Sequence, residues 1–278
     1  MQLFSILVAI SARLLNPYVV FGETKFSNMT KKEFSKSHGY RKPSNYKSKN
    51  IPDIYTKKEI SNIINTSIDW RDHNVVLPVK DQGLCGSCWA FSAASNIESQ
   101  LALATGGLES LSEEELVDCV SADYGCDGGW PDDAFEYIKV NGITTESLYN
   151  YTAGIGLAGK CKTLNQYQYI TKIARYVDIP NDEGQMLAYL KEHGPISVAL
   201  DANTFQSYKT GIVTDCVSDR IDHAVLIVGY APVNGTYPAY WIIRNSWGIN
   251  WGENGYIRVA FGSNQCLITN KPSSSVII

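Results

Sequence analysis

The chain has 278 residues, 44% of them hydrophobic and 11% aromatic, which is enough for one or two domains with a core and too apolar for a disordered chain. A formal net charge of −4 offers no overall basic surface, so nucleic acid is not expected as a partner. After the first few positions no apolar run approaches the ~20 residues of a membrane span, so no membrane association is expected either.

Leu3 to Ile10 is an uninterrupted apolar run followed by small residues, which reads as a secretory signal over residues 1–11 with a cleavage site near Ser11. Sequons at Asn28, Asn65, Asn150 and Asn234 are compatible with secretion. The seven cysteines suit three disulfides and one free thiol, formed in an oxidising compartment.

Residues 23–63 carry ten Lys or Arg against Glu23, Glu33, Asp53 and Glu59, a net of +6. From Ile64 onward 13 basic residues face 24 acidic ones, a net of −11. The change of sign predicts a boundary near residue 64. It also predicts attraction between the two parts, weakened by salt and by acid as carboxylates protonate near pH ~4. The stretch KSHGYRKPSNYKSKNIP has loop composition, with no helical or strand period.

Trp89, Ala93, Ile97 and Leu101 recur at i, i+4 and predict a helix from Cys88 to Ala104, stopped at Gly106-Gly107. Ser112 to Glu115 reads as a capping box opening a second helix. Pro131 to Val140 reads as a third, begun by proline and ended at Asn141-Gly142. One more helix is expected over about Glu183–Glu192. After it, short β-branched and aromatic runs at 196–200, 224–230, 240–244 and 255–259 read as strands. The pattern is α+β: a helical half, then a β-rich half, with a cleft between them.

QGLCGSCWAF at 82–91 holds two cysteines three apart. A zinc clip would need a second close Cys or His pair, and the four histidines at 38, 73, 193 and 223 supply none. A thioredoxin-type redox pair would sit in a βαβ pattern, and no parallel crossover follows. A purely structural pair leaves the odd thiol unexplained. A nucleophile explains more. Cys88 would start a helix, where the dipole favours the thiolate, and an imidazole partner would stabilise it further. His193 follows a helix C-terminus and His38 and His73 lie in polar stretches, so all three read as solvated or structural. His223 opens an apolar strand.

QGLCGSCWAF, with Asp222-His223-Ala224 and Asn245-Ser246-Trp247-Gly248 downstream, resembles the papain-like cysteine peptidases. Gly125–Gly129 (GCDGG) and the run from Trp251 to Tyr256 match as well, so the resemblance covers about residues 65–278. It is nearest to the cathepsin L group. No long occluding insertion lies between Cys88 and Cys126, which implies an endopeptidase. The fold implied is two-lobed, a helical N-terminal lobe and a β-barrel-like C-terminal lobe with the active site between them.

The roles implied residue by residue are these. Cys88 attacks, His223 carries the proton, Asn245 orients the imidazole, and Gln82 with the Cys88 N–H receives the oxyanion. Trp247 shields the Asn245–His223 bond. Gly128 and Gly129 let a substrate strand approach the cleft wall. Trp130, Pro131, Ala199, Ile221 and Ala224 line an apolar specificity pocket, with Lys271 near its floor, where it could accept an acidic side chain. The implied disulfides are Cys85–Cys126, Cys119–Cys161 and Cys216–Cys266. Residues 24–34 resemble the later part of an inhibitory prosegment without the long helix that usually precedes it, so residues 12–64 read either as a shortened prosegment or as one whose first portion is missing from this sequence, ahead of a catalytic domain at 65–278. The expected partners are protein and peptide substrates and the chain's own prosegment, and the expected state is a secreted or lysosomal monomer without metal or cofactor. Leu267, after Cys266, departs from the glycine usual there. The rival reading is the same fold as a binding or antigen-like protein without turnover; the presence of Cys88, His223 and Gln82 weighs against it.

Overall fold

A computed structural model describes residues 16–41, 51–162, 168–218 and 220–278. The leader expected over 1–11 lies outside these residues.

Six helices are described: α1 Lys31–Phe34, α2 Lys57–Ile63, α3 Cys88–Thr105, α4 Glu113–Cys119, α5 Pro131–Asn141 and α6 Glu183–His193. The four helices expected from periodicity are α3 to α6, with ends within two residues of the sequence reading. α3 is buried on nearly every face, because it lies between the two halves of the molecule. Trp89, Ala93 and Ile97 pack with Leu116, Phe135 and Ile138 in the helical core. The capping box at Ser112 forms by half. Ser112 Oγ accepts from Glu115 N, but the Glu115 carboxylate accepts from Thr144 N and Tyr137 Oη instead. Both α1 and α2 lie in the basic segment, and each opens on a complete Thr–Glu capping box, Thr30 with Glu33 and Thr56 with Glu59.

Nine strands are described: β1 Val19–Phe21, β2 Ile68–Asp69, β3 Ile173–Asp178, β4 Ile196–Leu200, β5 Tyr208–Val213, β6 His223–Ala231, β7 Tyr240–Arg244, β8 Tyr256–Ala260 and β9 Asn270–Ile277. They form a sheet of order β1-β5-β8-β7-β6-β4-β9-β3, with β2 paired to β6 off the path. The barrel-like lobe expected from the resemblance is corrected to an open sheet. Its end strands do not pair, because β9 leads away to β3, and β3 packs on α5 through Tyr176 and Phe135, ring centroids 5.7 Å apart. The sheet core joins Leu187 and Leu190 of α6 to Val198, Val225, Ile227, Trp241, Ile243 and Val259.

Three bridges tie the loops: Cys85–Cys126, Cys119–Cys161 and Cys216–Cys266. Cys88 is the free cysteine, and it is buried. Among the described residues no helix is long and apolar enough to cross a membrane.

Residues 16–41 form a strap over the junction of the two halves. β1 adds an antiparallel edge strand to β5, α1 turns the chain, and residues 37–41 run along the cleft floor. Beyond residue 50 the chain docks on α6. Gln185 Oε1 accepts from Ile54 N and Tyr55 N, both at 2.9 Å, and Lys191 Nζ donates to Ile63 O at 3.0 Å.

Candidate active site

Cys88 is the first residue of α3, after Ser87 as N-cap. His223 is the first residue of β6, and Asn245 follows the last residue of β7. Because β6 and β7 are antiparallel neighbours, the start of one lies beside the end of the other. His223 Nε2 and Asn245 Oδ1 are 2.8 Å apart, which directs Nδ1 away from Asn245. Trp247 stacks on the His223 ring at 4.7 Å and 24° and covers it from water.

Gln82 is fully buried and held from both ends. Its Oε1 accepts from Ser246 Oγ at 2.6 Å, and its Nε2 donates to Cys85 O and to Ser37 O, each at 2.8 Å. Ser246 N also donates to Asn245 Oδ1 at 2.8 Å. Ser246 therefore touches both polar groups that flank the Cys–His pair. Its sequence signal was its place between Asn245 and Trp247.

The strap occupies this cleft. Gly39 N donates to Cys88 Sγ at 3.3 Å, as does Ala224 N. Gly39 O accepts from Gly129 N at 2.7 Å, and Arg41 N donates to Gly129 O at 2.9 Å. Glycine is required at 39, where a Cβ would lie 1.7 Å from Gly86 O. It is required again at 128, where φ is +113° and a Cβ would lie 2.6 Å from Gly39 O. Tyr40 stacks on Trp130 at 5.2 Å and 27° and packs with Cys88, Ala199, Ala224 and Ile221. Pro131 is buried at the first position of α5, next to Trp130. Phe26, Phe34 and His38 gather around Trp247 at 4.8, 5.5 and 5.6 Å.

Under this cover burial pushes the Cys88 thiol up to about 12 and the His223 imidazole down to about 4. In the closed chain both groups are therefore neutral at ordinary pH, where the sequence had suggested a thiolate beside an imidazolium.

Two expectations change. Lys271 lies 5.8 Å over the Trp130 ring, but its ammonium is 3.0 Å from Asp132 and 2.5 Å from Asp178. Two carboxylates already compete for the charge that an acidic substrate side chain would seek. Among the described residues the ion pair joining the basic segment to the body is Lys25–Asp81 at 2.8 Å, with both side chains well exposed. His38, read as solvated, is buried, and His73 and His193 stand away from the cleft, against Trp70 and Tyr189.

The family model of the papain family cysteine proteases matches residues 64–276. A cysteine proteinase of Trypanosoma brucei brucei is 43% identical over 272 residues, covering 94% of this chain and 58% of its own length. Cysteine proteinase A of Leishmania mexicana is 41% identical over 269 residues, covering 94% and 74%. The chain thus spans less than two thirds of some curated relatives it matches. The digestive procathepsin L 3 of Tenebrio molitor larval midgut superposes with a TM-score of 0.83 at 36% identity, covering 98% of this chain and 88% of that one.

Proposed function

The chain belongs to the papain family of cysteine proteases, and we propose that it is a cysteine endopeptidase held latent by its own strap. The observation that carries this reading is the one unbridged thiol, at the first turn of a helix, in a cleft whose histidine is held by Asn245. With the strap gone, the helix N-terminus and a solvated His223 favour transfer of the Cys88 proton to the imidazole. The thiolate attacks the carbonyl carbon of a peptide bond. The oxyanion is received by the Gln82 amide and the Cys88 N–H, and one such donor is worth about 3–4 kcal/mol in the transition state. The imidazolium protonates the departing amine, leaving a thioester. Water then hydrolyses the thioester, losing a proton to His223, and Cys88 is restored.

Residues 16–41 act as the inhibitor of a prosegment ending near residue 64, ahead of a catalytic domain at 65–278. The strap occupies both partners of the reaction: Gly39 N donates to the Cys88 sulfur, and Ser37 O takes the Gln82 amide meant for the oxyanion. Its bridge to Gly129 is parallel. Tyr40 is a guide to specificity: the pocket of Trp130, Ala199, Ile221 and Ala224 takes an aromatic or large apolar side chain. Three disulfides and four exposed sequons support an extracellular or lysosomal setting.

Cys88→Ala tests the assignment. The variant should fold, keep its near-UV spectrum and fail to hydrolyse peptide after acid treatment that activates the wild type. Turnover above background would remove Cys88 from its role.

A further inference from the structure

We infer that His38 is a proton-operated latch: neutral, it seats the strap in the cleft, and protonated, it drives the strap out. The inference rests on the reading of residues 16–41 as an inhibitory segment. His38 is 4% exposed. Its ring stands edge-on to Phe34 at 4.3 Å, His223 at 5.5 Å and Trp247 at 5.6 Å. Neither ring nitrogen has a hydrogen-bond partner among the described residues. An aromatic cage of this kind accommodates a neutral imidazole and gives an imidazolium no acceptor for its protons.

The ionisable groups facing this site come from several elements. His223 begins β6, Cys88 begins α3, Arg220 and Asp222 precede β6, and the cavity beside His38 also carries Lys36, Arg41 and Asp127. Asp222 is the acid nearest in sequence to His223, but its Oδ1 accepts from Ala202 N and its Oδ2 stands 3.8 Å from Arg220 Nε. Burial first, then His223 and Arg220, hold His38 well below its usual value.

Of Cys88, His223 and His38, the proton count leaves His38 as the group that exchanges a proton with solvent on opening. The Cys88–His223 pair is neutral when closed. On opening, the thiol proton passes to the imidazole and the pair gains none from solvent. His38 does gain one. Its affinity for a proton is depressed in the closed state, so it stabilises closure above its free value of about 6.5, and that stabilisation is lost as pH falls. The open-to-closed ratio should rise up to tenfold per pH unit below ~6.5.

The test uses the whole unprocessed chain and the initial rate of Cys88 alkylation by iodoacetamide from pH 7.5 to 4.5, divided by the rate for the processed enzyme. The wild-type ratio should be low at pH 7.5 and climb about tenfold per unit below ~6.5. His38→Phe keeps a ring and removes the proton, so its ratio should stay nearly flat. An unchanged slope in His38→Phe overturns the latch. A wild-type ratio near one at pH 7.5 would instead overturn the inhibitory reading itself. If His38→Phe is already open at pH 7.5, the decision passes to the His38 ring resonance in full-length Cys88→Ala. Titration well below 6.5 sustains the latch, and titration at 6.5 or above refutes it.

Discussion

Tyr40→Ala should release the strap far more than salt does. Tyr40 is 8% exposed, stacked on Trp130 and packed against Ala199 and Ala224. An aromatic side chain of this kind buries ~150–250 Å². At ~25 cal/mol per Å² that is about 4–6 kcal/mol, an upper bound because the released strap is not fully extended. The vacated pocket opens onto the cleft and fills with water, so no cavity penalty is added. Taking about 3 kcal/mol as the net loss, closure weakens by about two orders of magnitude. The main-chain bonds of Gly39 and Arg41 to Gly129 survive the change, so the register of the strap is kept. The exposed Lys25–Asp81 pair is worth at most ~1 kcal/mol, so screening it in high salt should change opening by less than ~5-fold. The assay is alkylation of Cys88 in the unprocessed chain at neutral pH, at low and high salt, with the processed enzyme as reference. A Tyr40→Ala effect below ~5-fold, or a salt effect that exceeds it, would refute apolar anchorage and restore the charge attraction read from the sequence.

Ser246→Ala should lower kcat about tenfold with little change in KM, because Gln82 Oε1 loses its 2.6 Å partner and the amide proposed to receive the oxyanion loses its aim. A change confined to KM would place Ser246 outside the catalytic machinery. A substrate library scanned at the position that fills the Trp130 pocket should favour aromatic and large aliphatic side chains, and Lys271→Ala should not abolish an acidic preference, since Asp132 and Asp178 leave none to abolish. A strong acidic preference lost in Lys271→Ala would return that lysine to the pocket floor. Asp123, behind Gly129, is pushed up to about 8 by burial and by Asp133, so its proton stabilises the fold at low pH and that stability is lost as pH rises toward 8. Asp123→Asn, which keeps an acceptor for Trp130 N, should therefore match the wild type in thermal unfolding near pH 4 and exceed it near pH 8; equal midpoints at both values would contradict this.

What was readable in the sequence was whatever its own neighbours determine. The i, i+4 stripe from Trp89 to Leu101 gives α3, and the Pro131 start and Gly142 stop give α5. The cysteine count leaves one thiol, and the chain places it at a helix start. What was not readable depends on partners far away in the chain. β9 runs NKPSSSVI, with a proline and three serines and no alternation. It is a strand because those serines are buried against polar groups of the helices: Ser273 Oγ donates to Asp132, Asn96 Nδ2 donates to Ser274 Oγ, and Ser275 donates to Asn96 Oδ1. The capping box at Ser112 was half right for the same reason, since Thr144 and Tyr137 compete successfully for the Glu115 carboxylate. His38 and Tyr40 are the strongest case. In a basic stretch of loop composition they have no local period and no local partner, and their order is borrowed from the cleft they fill. A segment ordered only by the surface it covers is also one that can leave it, and the groups that hold it there, an aromatic plug and an uncharged imidazole, decide under which conditions it does.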